Sequence, residues 1–297
     1  SADSEYGRLG MFLNGRYATG DENSGKFQDA FDFDVWDLMA GVDYRFTDNL
    51  VAGFALSYAE GDIDYDNRRG NLDTDAWGAL TYGTYFLEDG LFFEGLLSYT
   101  GLDYSMERRV NYTLDVQTAD QKMKSSPDGD LYSASLGIGK SFNRESWSFT
   151  PSLRLDYLKN DVDSYTEKST NLLTTGGAMP LAVGSADFKS FTSNLGIQLS
   201  TARSMSNGVI VPQIRVDWVH EFEDDGIGMT AYYLEDINRT KFKVETESLD
   251  SDYLDVSLGL SAQFPNGRSA FISYRTLQGY SGLTYNSIQA GFRIELN

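Results

Sequence analysis

Few side chains in this sequence could do chemistry. His220 is the only imidazole among 297 residues, and it stands near Asp217, Glu221 and Glu223. An esterase or phospholipase would pair it with a serine such as Ser206 or Ser251, yet the chain has no G-x-S-x-G elbow to present a nucleophile. One histidine and no cysteine also leave catalytic zinc without its usual donors. His220 is expected to be a rim residue, no catalytic residue is assigned, and the chain is expected not to be an enzyme. Asp62, Asp64, Asp66 and Asp73 fall at positions 1, 3, 5 and 12 of a calcium loop. Position 6 is Asn67 where the loop needs glycine, and position 12 is aspartate rather than a bidentate glutamate. No metal and no cofactor is assigned. Residues 221–251 carry nine acidic and three basic side chains, which read as a solvated acidic surface.

A second set of charged residues points elsewhere, because it alternates with apolar residues at period two. From Trp147 to Tyr157, Trp147, Phe149, Pro151, Leu153, Leu155 and Tyr157 share one face, and Ser148, Thr150, Ser152, Arg154 and Asp156 share the other. The stretch 34–45 repeats this with Trp36, Leu38, Ala40, Val42 and Tyr44 against Asp37, Gly41, Asp43 and Arg45. In 209–220, Ile210, Pro212, Ile214, Val216 and Trp218 oppose Gln213, Arg215 and Asp217. Similar alternation runs through 7–17, 50–58, 91–103, 131–142, 191–201, 254–264 and 288–296. Segments 74–86 and 269–277 read as strands of undecided facing. The total is twelve strands, and the polar faces carry Arg8, Arg16, Asp37, Asp43, Arg45, Glu94, Arg154, Asp156, Arg215, Asp217, Asp255 and Arg293.

Composition and connections say what such strands must build. The formal net charge of −20 excludes a nucleic-acid binder held by a basic surface. No stretch approaches the roughly 18 consecutive apolar residues of a spanning helix. The start has no basic segment followed by an apolar one, so any signal peptide is expected to lie outside this chain. Five connections are short and rich in turn formers, at 47–49, 88–90, 143–146, 203–208 and 265–268. Six are expected to be long, at about 19–31, 60–73, 104–130, 159–187, 221–251 and 278–285. Short and long alternate along the chain, which puts all tight turns at one end of an up-and-down barrel and all long loops at the other. Tyr58, Tyr99, Tyr157 and Trp218 lie 9 to 11 residues from the preceding turns, about the length of a tilted membrane strand. Tyr44 and Trp147, with Phe46, Phe86, Phe92, Phe142 and Phe264, mark the turn end. The predicted fold is an all-β, 12-stranded antiparallel transmembrane barrel with two aromatic belts and a hydrated, mixed-charge lumen.

Several stretches resemble the C-terminal translocator domain of autotransporters, the type V secretion proteins of Gram-negative bacteria. Gly10-Met11-Phe12-Leu13-Asn14-Gly15 is similar to that family's first strand. Ala40-Gly41-Val42-Asp43-Tyr44-Arg45-Phe46 with Asp48-Asn49-Leu50 is similar to its second strand and first turn. Thr150-Pro151, Val211-Pro212-Gln213, Val219-His220-Glu221-Phe222, Gly259-Leu260-Ser261-Ala262 and Gly267-Arg268-Ser269-Ala270-Phe271-Ile272-Ser273-Tyr274 continue the likeness along the chain. The resemblance implies a single outer-membrane domain over 1–297, a monomer with its long loops outside the cell. It implies as partners an N-terminal passenger with a linker helix in the lumen, outer-membrane lipid and lipopolysaccharide, the barrel assembly machinery and periplasmic chaperones. Passenger and linker are expected to be absent from a chain that begins at Ser1, a few residues before the first strand. Some family members cut the linker inside the barrel, an activity not assigned here. The family usually ends on an aromatic residue, whereas Phe292, Ile294 and Leu296 lead here to Asn297. The alternative is a stand-alone outer-membrane diffusion channel.

Overall fold

The computed structural model describes residues 7–171, 173–177 and 179–296, without the side chain of Leu114. Ser1 and Asn297 lie outside the described residues. Twelve long strands form the wall: β1 (Leu9–Glu22), β2 (Phe31–Arg45), β3 (Leu50–Tyr65), β4 (Gly70–Phe86), β5 (Leu91–Leu114), β6 (Asp128–Lys140), β7 (Trp147–Val162), β8 (Ala186–Thr201), β9 (Gly208–Glu221), β10 (Asp252–Phe264), β11 (Arg268–Gln278) and β12 (Leu283–Leu296). Each pairs antiparallel with its sequence neighbours. β1 also pairs with β12, from Leu9 opposite Leu296 to Glu22 opposite Leu283, so the sheet closes. A closed sheet leaves no edge of unpaired amides, the condition for strands to cross hydrocarbon.

The pleat sends alternate residues to opposite faces, and the outer face is the apolar one. Leu56, Trp77, Leu97, Leu136, Leu195, Leu258 and Ile288 are all exposed there, Leu136 at 69%. An apolar exterior this extensive suits lipid rather than water. From Trp147 to Tyr157 on β7 is ten residues, about 33 Å of strand, or roughly 25 Å of membrane normal at the tilt of such barrels. The two undecided strands now have a facing. Trp77 and Tyr85 of β4 and Ile272 and Tyr274 of β11 are exposed outward, which turns Tyr82, Phe271 and Arg275 inward.

The five tight turns stand where expected. At 265–267, between the paired Phe264 and Arg268, Asn266 and Gly267 both have positive φ, 63° and 62°, the left-handed backbone that asparagine and glycine tolerate in a tight turn. The opposite connections need correction. Pairing of β3 with β4 persists to Tyr65 opposite Gly70, leaving residues 66–69 as the connection, and β11 and β12 are joined by 279–282 alone. Apolar alternation stops where the lipid stops, but hydrogen bonding between strands does not, so hairpins expected to be long loops are ladders of polar residues.

Three connections build a cap. β5 and the strand Gln117–Ser125 form a hairpin rising beyond the belt. The described residues of 163–185 lie along it through the short strand Lys168–Ser169. They share a four-stranded sheet with 222–251, made of Tyr165–Thr166, Leu181–Val183, Gly228–Tyr233 and Phe242–Glu245. Val110, Ala119, Met123, Ala182, Val183 and Ala231 are buried within this cap. It crosses the barrel mouth: a cavity of about 210 Å³ is bounded by Glu22 and Gln28 next to β1, by Phe188 on β8 across the barrel, and by 225–227 and 246–249 between them. The Phe27 amide donates to Glu247 at 2.5 Å.

Candidate functional site: the lumen and its two rims

The inward faces place charges where the alternation demands, and each strand supplies them next to a partner. Arg16 on β1 reaches Asp37 on β2 at 2.5 Å. Arg154 and Asp156 on β7 pair at 2.8 Å, and Asn194 on β8 donates to Asp156 at 2.8 Å. Arg215 grips Asp217 through Nε and Nη2, both at 2.6 Å. Asp255, directly opposite Asp217 in the ladder, is held by Arg275 of β11 at 2.6 Å. Asp217 and Asp255 are 5% and 8% exposed, and two carboxylates this buried and this close require those guanidinium partners. Arg293 of β12 extends over β1 to Asp43 of β2, at 2.6 and 2.9 Å, and also holds Glu295 at 2.9 Å. Gly10 makes this reach possible: a Cβ there would stand 2.6 Å from Asp43 Oδ1.

Ten of the twelve charged residues expected in the lumen thus lie along the barrel interior. Glu94 lines a recess with Tyr82, Leu96, Ser135 and Arg154. Arg45 ends β2 at the turn rim, and Arg8 precedes β1, its carbonyl accepting from the Arg45 amide. Arg275 and Glu295 were not among the expected residues. The facing of β11 was undecided in the sequence, and Glu295 could have been found by extending the parity of Arg293 two residues.

Apolar side chains also turn into the lumen, between the charges. Phe12, Met39, Leu80, Tyr82, Leu96 and Phe271 turn inward and border a central cavity of about 630 Å³, together with Asp43, Gln213 and Arg293. Phe12 and Tyr82 meet edge-on at 6.1 Å. The lumen therefore mixes two chemistries: aromatic and aliphatic groups on β1, β2, β4, β5 and β11 stand among ion pairs that recur around the ring, on β1 and β2, on β12 and β2, and on β7 to β11. Phe92 belongs here too, its ring lying over Gly139. Its assignment to the outer belt is corrected: it shares a rung with Phe86 while Tyr85 and Phe93 face outward, and consecutive aromatic residues hide which one faces lipid.

The belt residues Tyr44, Tyr99, Trp147, Tyr157 and Trp218 are exposed on the outer face. Tyr58 joins them, sandwiched by Trp36 at 5.6 Å and Trp77 at 4.5 Å. On the capped side the belt's polar atoms are satisfied by carboxylates one rung higher. Tyr17 donates to Asp34, Tyr58 to Glu60 and Asp75, Tyr99 to Asp130 and Trp218 to Asp252. His220 Nδ1 is 3.0 Å from Asp252, and its ring stands edge-on to Phe222. Ser206 is in the turn at the other end of β9, and Ser251 Oγ donates to Asp224, so neither of these two serines is paired with His220. Asp62 and Asp64 lie on β3 and Asp73 on β4, with Asp62 opposite Asp73. Asp66 opens the connection, and this hairpin geometry is not that of a calcium loop.

Within the cap, Glu167 is the pivot. Arg108 binds it at 2.6 and 2.8 Å, and the Leu181 amide donates to it at 2.8 Å. Burial works against the charge on Arg108, but the hydrogen bonds and charge of Glu167 outweigh it and hold the guanidinium pKa above its usual value. Burial pushes the Tyr165 and Tyr65 phenols up, and the Arg109 guanidinium holds Asp120 below the usual carboxylate range.

A family model described as the autotransporter β-domain matches residues 11–275. The autotransporter adhesin/invasin TibA of Escherichia coli O78:H11 is 25% identical over 252 residues, which are 83% of this chain and 22% of TibA. This chain therefore spans about a fifth of the length of that relative. Among solved structures, the translocator domain of the autotransporter NalP from Neisseria meningitidis superposes with a TM-score of 0.72 at 17% identity, covering 98% of this chain and 89% of that one. The β domain of the Bordetella autotransporter BrkA gives 0.64 at 17% identity, covering 97% and 99%.

Proposed function

This chain belongs to the autotransporter β-domain family, and from that premise we propose that it anchors an N-terminal passenger in the outer membrane and carries it to the cell surface through the lumen. The observation that supports this reading best is the mixed interior: ion pairs and apolar side chains together around a central cavity. A linker helix carrying both charged and apolar side chains would satisfy both kinds of group. Arg16, Asp37, Asp43, Glu94, Arg154, Asp156, Arg215, Asp217, Asp255 and Arg293 line its path, and because most are already paired, a passing polypeptide meets no uncompensated row of one sign. In this reading the capped end faces outside, the belts sit at the two leaflet surfaces, the barrel works as a monomer without cofactor or catalysis, and the assembly machinery and periplasmic chaperones deliver it.

The test is single-channel conductance of the purified barrel in a planar bilayer, with and without a covalently restored linker segment. Conductance that falls when the linker is present supports the translocator. Steady conductance indifferent to the linker supports a diffusion channel instead.

A further inference from the structure

The outer rim of the capped side is acidic around much of its circumference. Moving up from the belt, the first charged outward residue is Asp21 on β1, Asp34 on β2, Glu60 on β3, Asp75 on β4, Asp103 on β5, Asp130 on β6 and Asp252 on β10. Several of these acids already accept hydrogen bonds from belt rings. β9, β11 and β12 carry no acidic residue at that height, and among the described residues only β7 and β8 place a lysine there. There the first charged residue is Lys159, two above Tyr157, and Lys189, two above Phe191, and the two lysines stand directly opposite each other in the ladder. Like charges across a rung destabilise a sheet unless something between them compensates. Each ammonium has one carboxylate above it, Asp161 at 2.5 Å and Asp187 at 3.1 Å. An ammonium has three donors, so both lysines keep donors free, and both side chains remain partly exposed at 34% and 45%. Below them Tyr157 and Phe191 face each other across the ladder, and Tyr132 stands beside Lys159 on its own rung. Phe222 lies next to Phe191, its ring 5.3 Å from that of Phe191.

We propose that Lys159 and Lys189 form a binding site for the phosphate of a phosphorylated glycolipid headgroup of the lipid A kind, whose sugar and proximal acyl carbons rest on Tyr157, Phe191 and Phe222. The charge complementarity is local: elsewhere on this rim a phosphate meets carboxylates or uncharged polar groups, while here two cations, each shared with one carboxylate above it, stand at the height where belt aromatics meet headgroups. The site rests on the reading that the capped end faces the outer leaflet.

The experiment titrates the purified full chain in nanodiscs with bisphosphorylated lipid A, with its dephosphorylated form and with phosphatidylglycerol, for wild type, K159Q/K189Q and K122Q. Lys122 serves as control because it is a cation on the cap hairpin, paired with Glu107. Basic residues near a membrane surface each contribute enough that losing two weakens binding by about 10- to 30-fold. K159Q/K189Q is expected to show that loss with bisphosphorylated lipid A and unchanged heat-modifiability on gels, and K122Q to bind as wild type does. Equal binding by wild type and K159Q/K189Q overturns the site, and equal binding of phosphatidylglycerol reassigns it to phospholipid and overturns the glycolipid. Orientation is read separately: the chain has no cysteine, so K159C reacts with an impermeant maleimide on intact cells only if this end faces outside.

Discussion

Replacing Gly10 by alanine should weaken the seam of the barrel although it adds one carbon. The new Cβ would lie 2.6 Å from Asp43 Oδ1 and 2.8 Å from Arg293 Cζ, distances that side-chain carbons do not keep, so the pair between β12 and β2 must open. Breaking a fully buried ion pair costs about 3–5 kcal/mol, and an exposed one about 0.2–1 kcal/mol. Asp43 is 7% exposed and Arg293 33%, which puts G10A between these limits, at roughly 1–3 kcal/mol. That is about a 5- to 150-fold shift in the folded-to-unfolded ratio. Asp43→Asn breaks the same pair without adding bulk and should give a similar loss. Gly15→Ala is the control, since the nearest atom to its added carbon is 3.8 Å away. The assay is urea unfolding in detergent, followed by tryptophan fluorescence and by the heat-modifiable gel shift. If G10A and D43N unfold with wild-type midpoints while both remain folded, Arg293 is not clamping the seam.

Glu167→Gln should loosen residues 163–185 from the cap hairpin, so that trypsin cuts after Lys168 about tenfold faster with the barrel gel shift unchanged; an unchanged cutting rate would refute the Arg108 latch. Trp36, Trp77, Trp147 and Trp218 all lie in the belts, and lipids brominated near the headgroup should quench their fluorescence more than lipids brominated at the chain ends. The opposite order would move the membrane boundaries. Arg109 lowers the pKa of Asp120 by hydrogen bonding to its carboxylate, and a lowered carboxylate pKa adds stability that is present above 3.8 and lost as pH falls through the lower folded-state value. NMR shifts of the hairpin Gln117–Ser125 should therefore be flat from pH 5 to 8 and change only below 3.8, whereas a transition near pH 6 would contradict the pairing.

The wall of this barrel was legible because lipid and lumen impose opposite chemistry on alternate residues, and that constraint runs the full width of the membrane. The segment 147–157 could be read from its side chains alone. β4 and β11 could not, because Leu80, Tyr82 and Phe271 put apolar groups on the lumen side too. Arg293 was legible as a lumen charge, yet nothing local showed that it would reach over Gly10 to Asp43, a partner 250 positions away. The cap was the least legible part. Its sheet joins short segments from two connections, none long enough to carry a period, and Arg108 and Glu167 come together through tertiary pairing alone.

The pairing of β1 with β12 also sets a clock for folding. These are the first and last strands of the wall, so the contact that closes the cylinder has nearly the largest sequence separation the chain allows, and no subset of the strands can make it. Until β12 is synthesised and delivered, β1 offers a free row of amides and a lipid-ready face, a state that invites aggregation in water. Closure therefore asks for a contact of very long sequence separation, the kind whose loop entropy must be met before it forms.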